Sequence, residues 1–189
     1  MNIILASRSR FRRQALDLLG MDYEVIPSQI DEKSIRDGEP EALARKLARA
    51  KARDVGEKLT GDNLIIAGDL FVLFQGDIYE KPEGKKEARE MLRTFSDNVL
   101  EIIAGVSVMN SSTGELDSAL GKTEIAFRDI GEREIKSYVS NYPVVELAGG
   151  FEKEGVLKFS REVHGDLSFL TGLPLNKLIE LLRKNGVRP

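Results

Sequence analysis

The sequence contains no cysteine and a single histidine, His164. The missing cysteine excludes disulfides and a thiolate nucleophile. The lone histidine excludes a multi-histidine metal site, and a histidine-based triad would have to use His164 itself. No apolar run approaches the roughly 20 residues of a membrane span. The N-terminal stretch shows no signal-peptide pattern, so a cytoplasmic location without membrane contact is the expectation. Positive charge is not in excess: 28 Lys and Arg against 31 Asp and Glu leave a net charge of -3, with no general attraction to nucleic acid or anionic lipid. A Walker loop, a glycine-rich dinucleotide fingerprint and a Gly-x-Ser-x-Gly nucleophile elbow are also absent.

What is present is a 189-residue chain, 41% hydrophobic and 31% charged, enough for one α/β domain or two small lobes. Ile3 to Ala6 is an apolar run too short for a helix and reads as a buried strand. Ser7 to Ser9 form a turn, and a helix follows that stops at Gly20. Phe11, Ala15, Leu18 and Leu19 are its expected inner face. Ser7 or Ser9 supplies the cap. Free amides and the positive dipole end gather at this helix start, with Arg8, Arg10, Arg12 and Arg13 beside them, as an anion site requires.

Further helices are expected from Pro40 to about Leu59, over Gly84–Phe95 and Gly131–Tyr142, and from Pro174 to near Lys184. Strands are expected at Tyr23–Ile26, Leu64–Ala67, Ile78–Tyr79, Val99–Met109, Leu116–Phe127 and Val156–Val163. Leu70–Phe74 resumes the Leu64–Ala67 run after a bulge at Gly68. The two long strands flank the loop Asn110–Glu115 and read as a hairpin, which makes the fold mixed α/β. No internal repeat or linker interrupts residues 1–189, and a lobe boundary is expected near the ends of the middle strands.

The residues able to carry chemistry are dispersed. Ser7 and Arg12 sit at the first helix start. Lys51 borders the apolar stripe of the second helix, either snorkelling or aimed into a cleft. Glu32 and Asp69 are placed on loops, Asp69 between two apolar runs where an unpaired carboxylate is costly. It is either a hydrogen-bonded turn residue or a catalyst. Lys81, forced out of helical geometry by Pro82, is either solvated or in a cleft. His164 reads as a loop or rim residue. Cations with free amides suit a polyphosphate. Two carboxylates suit a hard divalent cation and the activation of a water. Together they suggest metal-assisted phosphoanhydride hydrolysis. The arginines of the first helix could instead touch nucleic acid, but no basic stripe continues beyond that helix.

The chain resembles the Maf (septum-formation) family of nucleotide pyrophosphatases, akin in fold to inosine triphosphate pyrophosphatases. The likeness rests on Leu5-Ala6-Ser7-Arg8-Ser9 with Arg12, Asp31-Glu32, Leu47–Ala52, Ile66-Ala67-Gly68-Asp69, Glu80-Lys81-Pro82, Ala148–Phe151 and Gly172–Leu175, in this order. It implies a mixed, elongated sheet flanked by helices, with a cleft between two lobes. It also implies hydrolysis of a nucleoside triphosphate, with a pyrimidine or modified base, to monophosphate and pyrophosphate in a housecleaning role. Asp69 would be the catalytic base or water activator, and Ser7, Arg12, Lys51 and Lys81 would hold the triphosphate. Glu32 and Asp69 would hold a divalent cation, magnesium or manganese, with Glu32 and Glu154 also among the substrate contacts. A homodimer and no nucleic-acid partner are further implications. The sequence departs from the family pattern at Leu70, Leu147, Glu154 and Leu100. The alternatives are a non-catalytic nucleotide-binding regulator of division or septum formation, and an inosine triphosphatase-like activity.

Overall fold

The structure is a computed structural model and describes residues 1–189. Seven strands form one mixed sheet: β1 (Asn2–Leu5), β2 (Glu24–Val25), β3 (Asn63–Phe74), β4 (Asp77–Tyr79), β5 (Val99–Asn110), β6 (Leu116–Phe127) and β7 (Ser160–Gly165). Their order is β2-β1-β3-β5-β6-β7, with β4 paired to β3. β1 runs parallel to β2 and β3, whereas β4 and β7 pair antiparallel with β3 and β6. The helices are α1 (Arg10–Leu18), α2 (Pro40–Gly56), α3 (Lys85–Phe95), α4 (Glu132–Asn141), α5 (Lys153–Phe159), the single turn α6 (Ser168–Thr171) and α7 (Leu175–Lys184). No helix is long and apolar enough to cross a membrane.

The chain divides into two compact units. One comprises Met1–Leu70, Ala104–Gly121 and Asp166–Pro189, the other Phe71–Ile103 and Lys122–Gly165. The divisions fall inside β3, β5 and β6, not near strand ends, because each of these 12-residue strands contributes a part to both units.

In the first unit, strand parity sorts the core. Leu5, Leu64 and Ile66 pack with Ala15 and Leu16 of α1 and Leu178 and Leu182 of α7. Ile4, Ile65 and Ala67 pack with Ala52 and Val55 of α2. Both faces of these strands are therefore buried, which explains their unbroken apolar runs. β5 and α2 approach at backbone distance: a Cβ on Gly105 would lie 2.4 Å from the Ala44 carbonyl oxygen. In the second unit the core is a relay of aromatic edges. Phe95 meets Phe74, Tyr79 and Phe151; Phe127 meets Phe151 and Phe159, with centroids 4.9 to 6.0 Å apart.

Three local expectations are corrected. Leu18 is 73% exposed, and the inward stripe of α1 is Arg12, Ala15, Leu16 and Leu19, at the i, i+3, i+4, i+7 spacing of a helix face. Val156 to Phe159 belongs to α5, not to the last strand. Gly155, Val156 and Phe159 are buried while Leu157 and Lys158 are exposed, a helical period, and the strand starts only at Ser160. β3 runs through Gly68 as one strand, joining Leu64–Ala67 to Leu70–Phe74. The glycine there serves close approach, because a Cβ would stand 2.4 Å from Leu173 Cδ2.

Candidate active site

The site is assembled within the first unit from three pieces of chain. The first is the β1–α1 junction. Ser9 caps α1, its Oγ accepting the Arg12 N–H at 3.4 Å. Ser7, 7% exposed, is thereby released from capping; its Oγ accepts the Ser9 N–H at 3.2 Å and Arg12 Nη1 at 3.1 Å. Arg12 occupies a position of the inward stripe, so its guanidinium turns toward the protein. Its Nε donates to the Gly172 carbonyl at 3.1 Å. That carbonyl is presented by a left-handed glycine, φ 69°, closing α6, and Thr171 Oγ1 ties the same turn by donating to the Leu173 carbonyl at 2.8 Å. Burial pulls the Arg12 guanidinium below its ordinary pKa, while the negative charges of Asp69 and Glu32 oppose that pull.

The second piece is α2 and the loop before it. Lys51 lies within the buried stripe, not beside it, one turn after Leu47 and one before Val55. Three residues on, Asp54 Oδ2 accepts the Ser28 hydroxyl at 2.8 Å and the Gln29 N–H at 2.7 Å. This fastens the loop to the helix that carries Lys51. The chain then turns through a 3-10 segment, Glu32–Ser34, capped by Asp31, whose Oδ1 accepts the Lys33 N–H at 3.1 Å. Asp31 is thus a cap, and Glu32 is the carboxylate delivered to Lys51.

The third piece is Asp69. It does not sit on a loop: it lies inside β3, 8% exposed. Its odd number gives it the parity of Ile65 and Ala67, whose face packs on α2. There it meets Lys51. The ammonium, on a residue 6% exposed, lies 2.6 Å from Asp69 Oδ1 and 2.8 Å from Glu32 Oε2. Asp69 is the buried end of this bridge and Glu32 the exposed end. Removing one partner from such a buried pair costs about 3–5 kcal/mol. Two acids and two bases, Glu32, Asp69, Arg12 and Lys51, balance within one cluster. No group of three or more Asp, Glu, His or Cys side chains forms a ready metal cage. The donor set present, two carboxylates already holding a cation between them, suits a hard ion that takes its remaining ligands from water and phosphate.

Ser7, Arg12, Glu32, Lys51 and Asp69 are thus brought together. Lys81 and Glu154 belong to the second unit. Lys81 is exposed, next to Glu80, whose carbonyl accepts the Gly149 N–H at 3.0 Å and so ties it to the Ala148–Gly150 turn. Glu154, in the first turn of α5, has a buried Oε2 without a hydrogen-bond partner. Leu100 and Leu147 are buried in the core. Arg8, Arg10 and Arg13 are exposed. His164 lies within β7 rather than after it, exposed and paired in register with Glu124. The Gly172 carbonyl was not legible in the sequence as a functional group, since a backbone acceptor leaves no side-chain signature. The signal for Arg12 was available: a charged residue on the apolar stripe of a short helix.

Several known proteins are similar to this chain. A 7-methyl-GTP pyrophosphatase of Idiomarina loihiensis is 34% identical over 190 residues, covering 99% of this chain and 96% of its own. A dTTP/UTP pyrophosphatase of Clostridium tetani is 33% identical over 190 residues, covering 99% of both chains. Among solved structures, the Staphylococcus aureus Ham1 protein superposes with a TM-score of 0.56 at 15% identity, over 98% of this chain and 100% of that one, a likeness of fold. The family model described as Maf-like protein matches residues 2–185, and with that match spanning nearly the whole sequence the chain belongs to the Maf family.

Proposed function

We propose that this protein hydrolyses a nucleoside triphosphate to the monophosphate and pyrophosphate, as a housecleaning enzyme of the cytoplasm that works as a homodimer. The observation that carries the chemistry is the buried Asp69 carboxylate held against Lys51, in a cluster with Glu32 and Arg12. The reaction needs a water to attack the α-phosphorus while the bond to the bridging oxygen of the β-phosphate breaks. Asp69 orients that water and accepts its proton. Arg12 offers a planar donor fork already fixed by Ser7 and the Gly172 carbonyl, suited to phosphate oxygens. Lys51 supplies a mobile positive charge for the departing pyrophosphate. The family resemblance assigns Lys81 to phosphate and Glu154 to the substrate, and the reading keeps both. Glu32 and Asp69 would hold a magnesium or manganese ion, which when bound neutralises phosphate charge and lowers the pKa of a water.

The relatives' names point to two kinds of base, uracil or thymine and 7-methylguanine, at nearly equal identity. The test is a panel of UTP, dTTP, CTP, 7-methyl-GTP and ITP with magnesium or manganese, read by pyrophosphate release. Turnover of a pyrimidine or 7-methylguanine nucleotide is expected. Preference for ITP would move the chain to an inosine triphosphatase-like activity, and turnover of none would contradict the reading.

A further inference from the structure

We infer that Lys51 is the site's built-in counter-ion: its ammonium occupies, between Glu32 and Asp69, the place a divalent cation would take, so the protein takes up metal only together with the triphosphate. This rests on the pyrophosphatase reading and specifies its substrate as a metal–triphosphate complex.

The geometry sets the order of events. One ammonium spans both carboxylates, at 2.6 Å and 2.8 Å, and it comes from a helix position 6% exposed. No third acid or histidine joins Glu32 and Asp69 to outbid it. A metal seated between the two carboxylates must displace the ammonium from Glu32 Oε2 and Asp69 Oδ1, the oxygens it now holds. Without a ligand, letting go would leave the ammonium beside an incoming dication, with the Arg12 guanidinium coupled to the same carboxylates. Two cations already balance two carboxylates, so the added charge would be uncompensated. A triphosphate removes both obstacles: it brings the negative charge the cluster lacks, and its oxygens give the ammonium a new partner. The lysine stem has four carbons and rotatable donors, so the head can change partners while α2 stays in place. An arginine or a neutral side chain at this position would not combine a compact cation with that reach.

The test needs no turnover. Manganese binding is followed by the electron paramagnetic resonance of the free ion, with full-length protein and no nucleotide. The expected result is weak binding by the wild type and binding tighter by roughly tenfold or more in Lys51→Met and Lys51→Gln, where the like charge is gone and the two carboxylates stand free. Lys51→Arg, which keeps a cation, should show no such gain. In the wild type, methylenediphosphonate at matched free manganese should tighten the protein's metal binding by a similar factor, once the manganese it takes up in a protein-free titration is subtracted. The inference is overturned if both neutral variants bind manganese no better than wild type, or if methylenediphosphonate leaves wild-type binding unchanged. Should the variants fail to fold, the wild-type comparison decides alone. Absence of pyrophosphate release from the nucleotide panel would sink the pyrophosphatase reading, whereas these titrations judge Lys51 independently of it.

Discussion

Replacing Gly105 by alanine tests whether α2, and with it Lys51, is seated on the backbone of β5. The new Cβ would lie 2.4 Å from the Ala44 carbonyl oxygen and 2.7 Å from its carbonyl carbon. Both are backbone atoms of a helix and cannot rotate away. Opening 2.4 Å to 3.0 Å, below which such contacts essentially never occur, requires at least 0.6 Å of movement between helix and strand. Overpacking of this kind costs about 1–3 kcal/mol. In a chain of this length that lowers Tm by roughly 2–12 °C. Lys51 follows Ala44 by two helical turns. If the displacement is carried along, its bonds of 2.6 Å and 2.8 Å stretch to roughly 3.2 Å and 3.4 Å, beyond the range of charge-assisted hydrogen bonds. Misplacement approaching 1 Å can cost as much as about a hundredfold in rate. Urea unfolding and pyrophosphate release would be measured together. Gly38→Ala is the control, because nothing lies within 4 Å of its Cβ position. A Gly105→Ala protein within about 0.5 kcal/mol of wild type, the spread of a surface change, and with full activity would refute the seating of α2 on β5.

Arg12→Lys keeps the charge but cannot reproduce a fork that reaches Ser7 Oγ and the Gly172 carbonyl from two separate nitrogens. KM for the nucleotide should rise roughly tenfold, with a smaller loss of kcat, in steady-state assays. Tyr138 is held neutral by burial, so its pKa is raised, and its hydroxyl accepts the Glu152 N–H at 3.2 Å. The unfolded tyrosine ionises near 10 and the folded one higher, so this contribution is complete below about pH 10 and lost as pH climbs from there toward the folded pKa. Urea midpoints at pH 9, 10 and 11 should fall in the wild type and fall less steeply in Tyr138→Phe. Glu154→Gln removes the charge from a carboxylate with one buried, unpartnered oxygen, so thermal denaturation should show equal or higher stability, and the nucleotide panel should show an altered base preference.

The fold was readable where a period is unambiguous. The α2 and α3 stripes stood out in the sequence because their apolar residues recur at helical spacing over three turns or more, and the two twelve-residue strands because a clear polar loop separates them. It was less readable where two periods compete. Val156–Phe159 is short enough to pass for strand, and only the contrast between buried Phe159 and exposed Leu157 and Lys158 reveals α5. The candidate site residues came from the family resemblance, which carries no geometry. Asp69 looked like a loop residue because an acid and a glycine break an apolar run. In the structure β3 passes straight through, with Gly68 making room for Leu173 and Asp69 facing α2 by parity alone. Lys51 was ambiguous for a similar reason: a lysine on an apolar stripe is either snorkelling or paired, and the partner that decides comes from a strand 18 residues away.

The central claim is that Asp69 drives water attack at the α-phosphorus. The most direct measurement is phosphorus NMR of the products formed from the preferred nucleotide in heavy-oxygen water, where attack at the α-phosphorus puts the label in the monophosphate, comparing wild type with Asp69→Asn. Equal amounts of monophosphate and pyrophosphate are predicted from the wild type, with a rate lower by about 10²–10⁴ in the variant. The label in pyrophosphate, diphosphate with orthophosphate, or a variant as fast as wild type would contradict it.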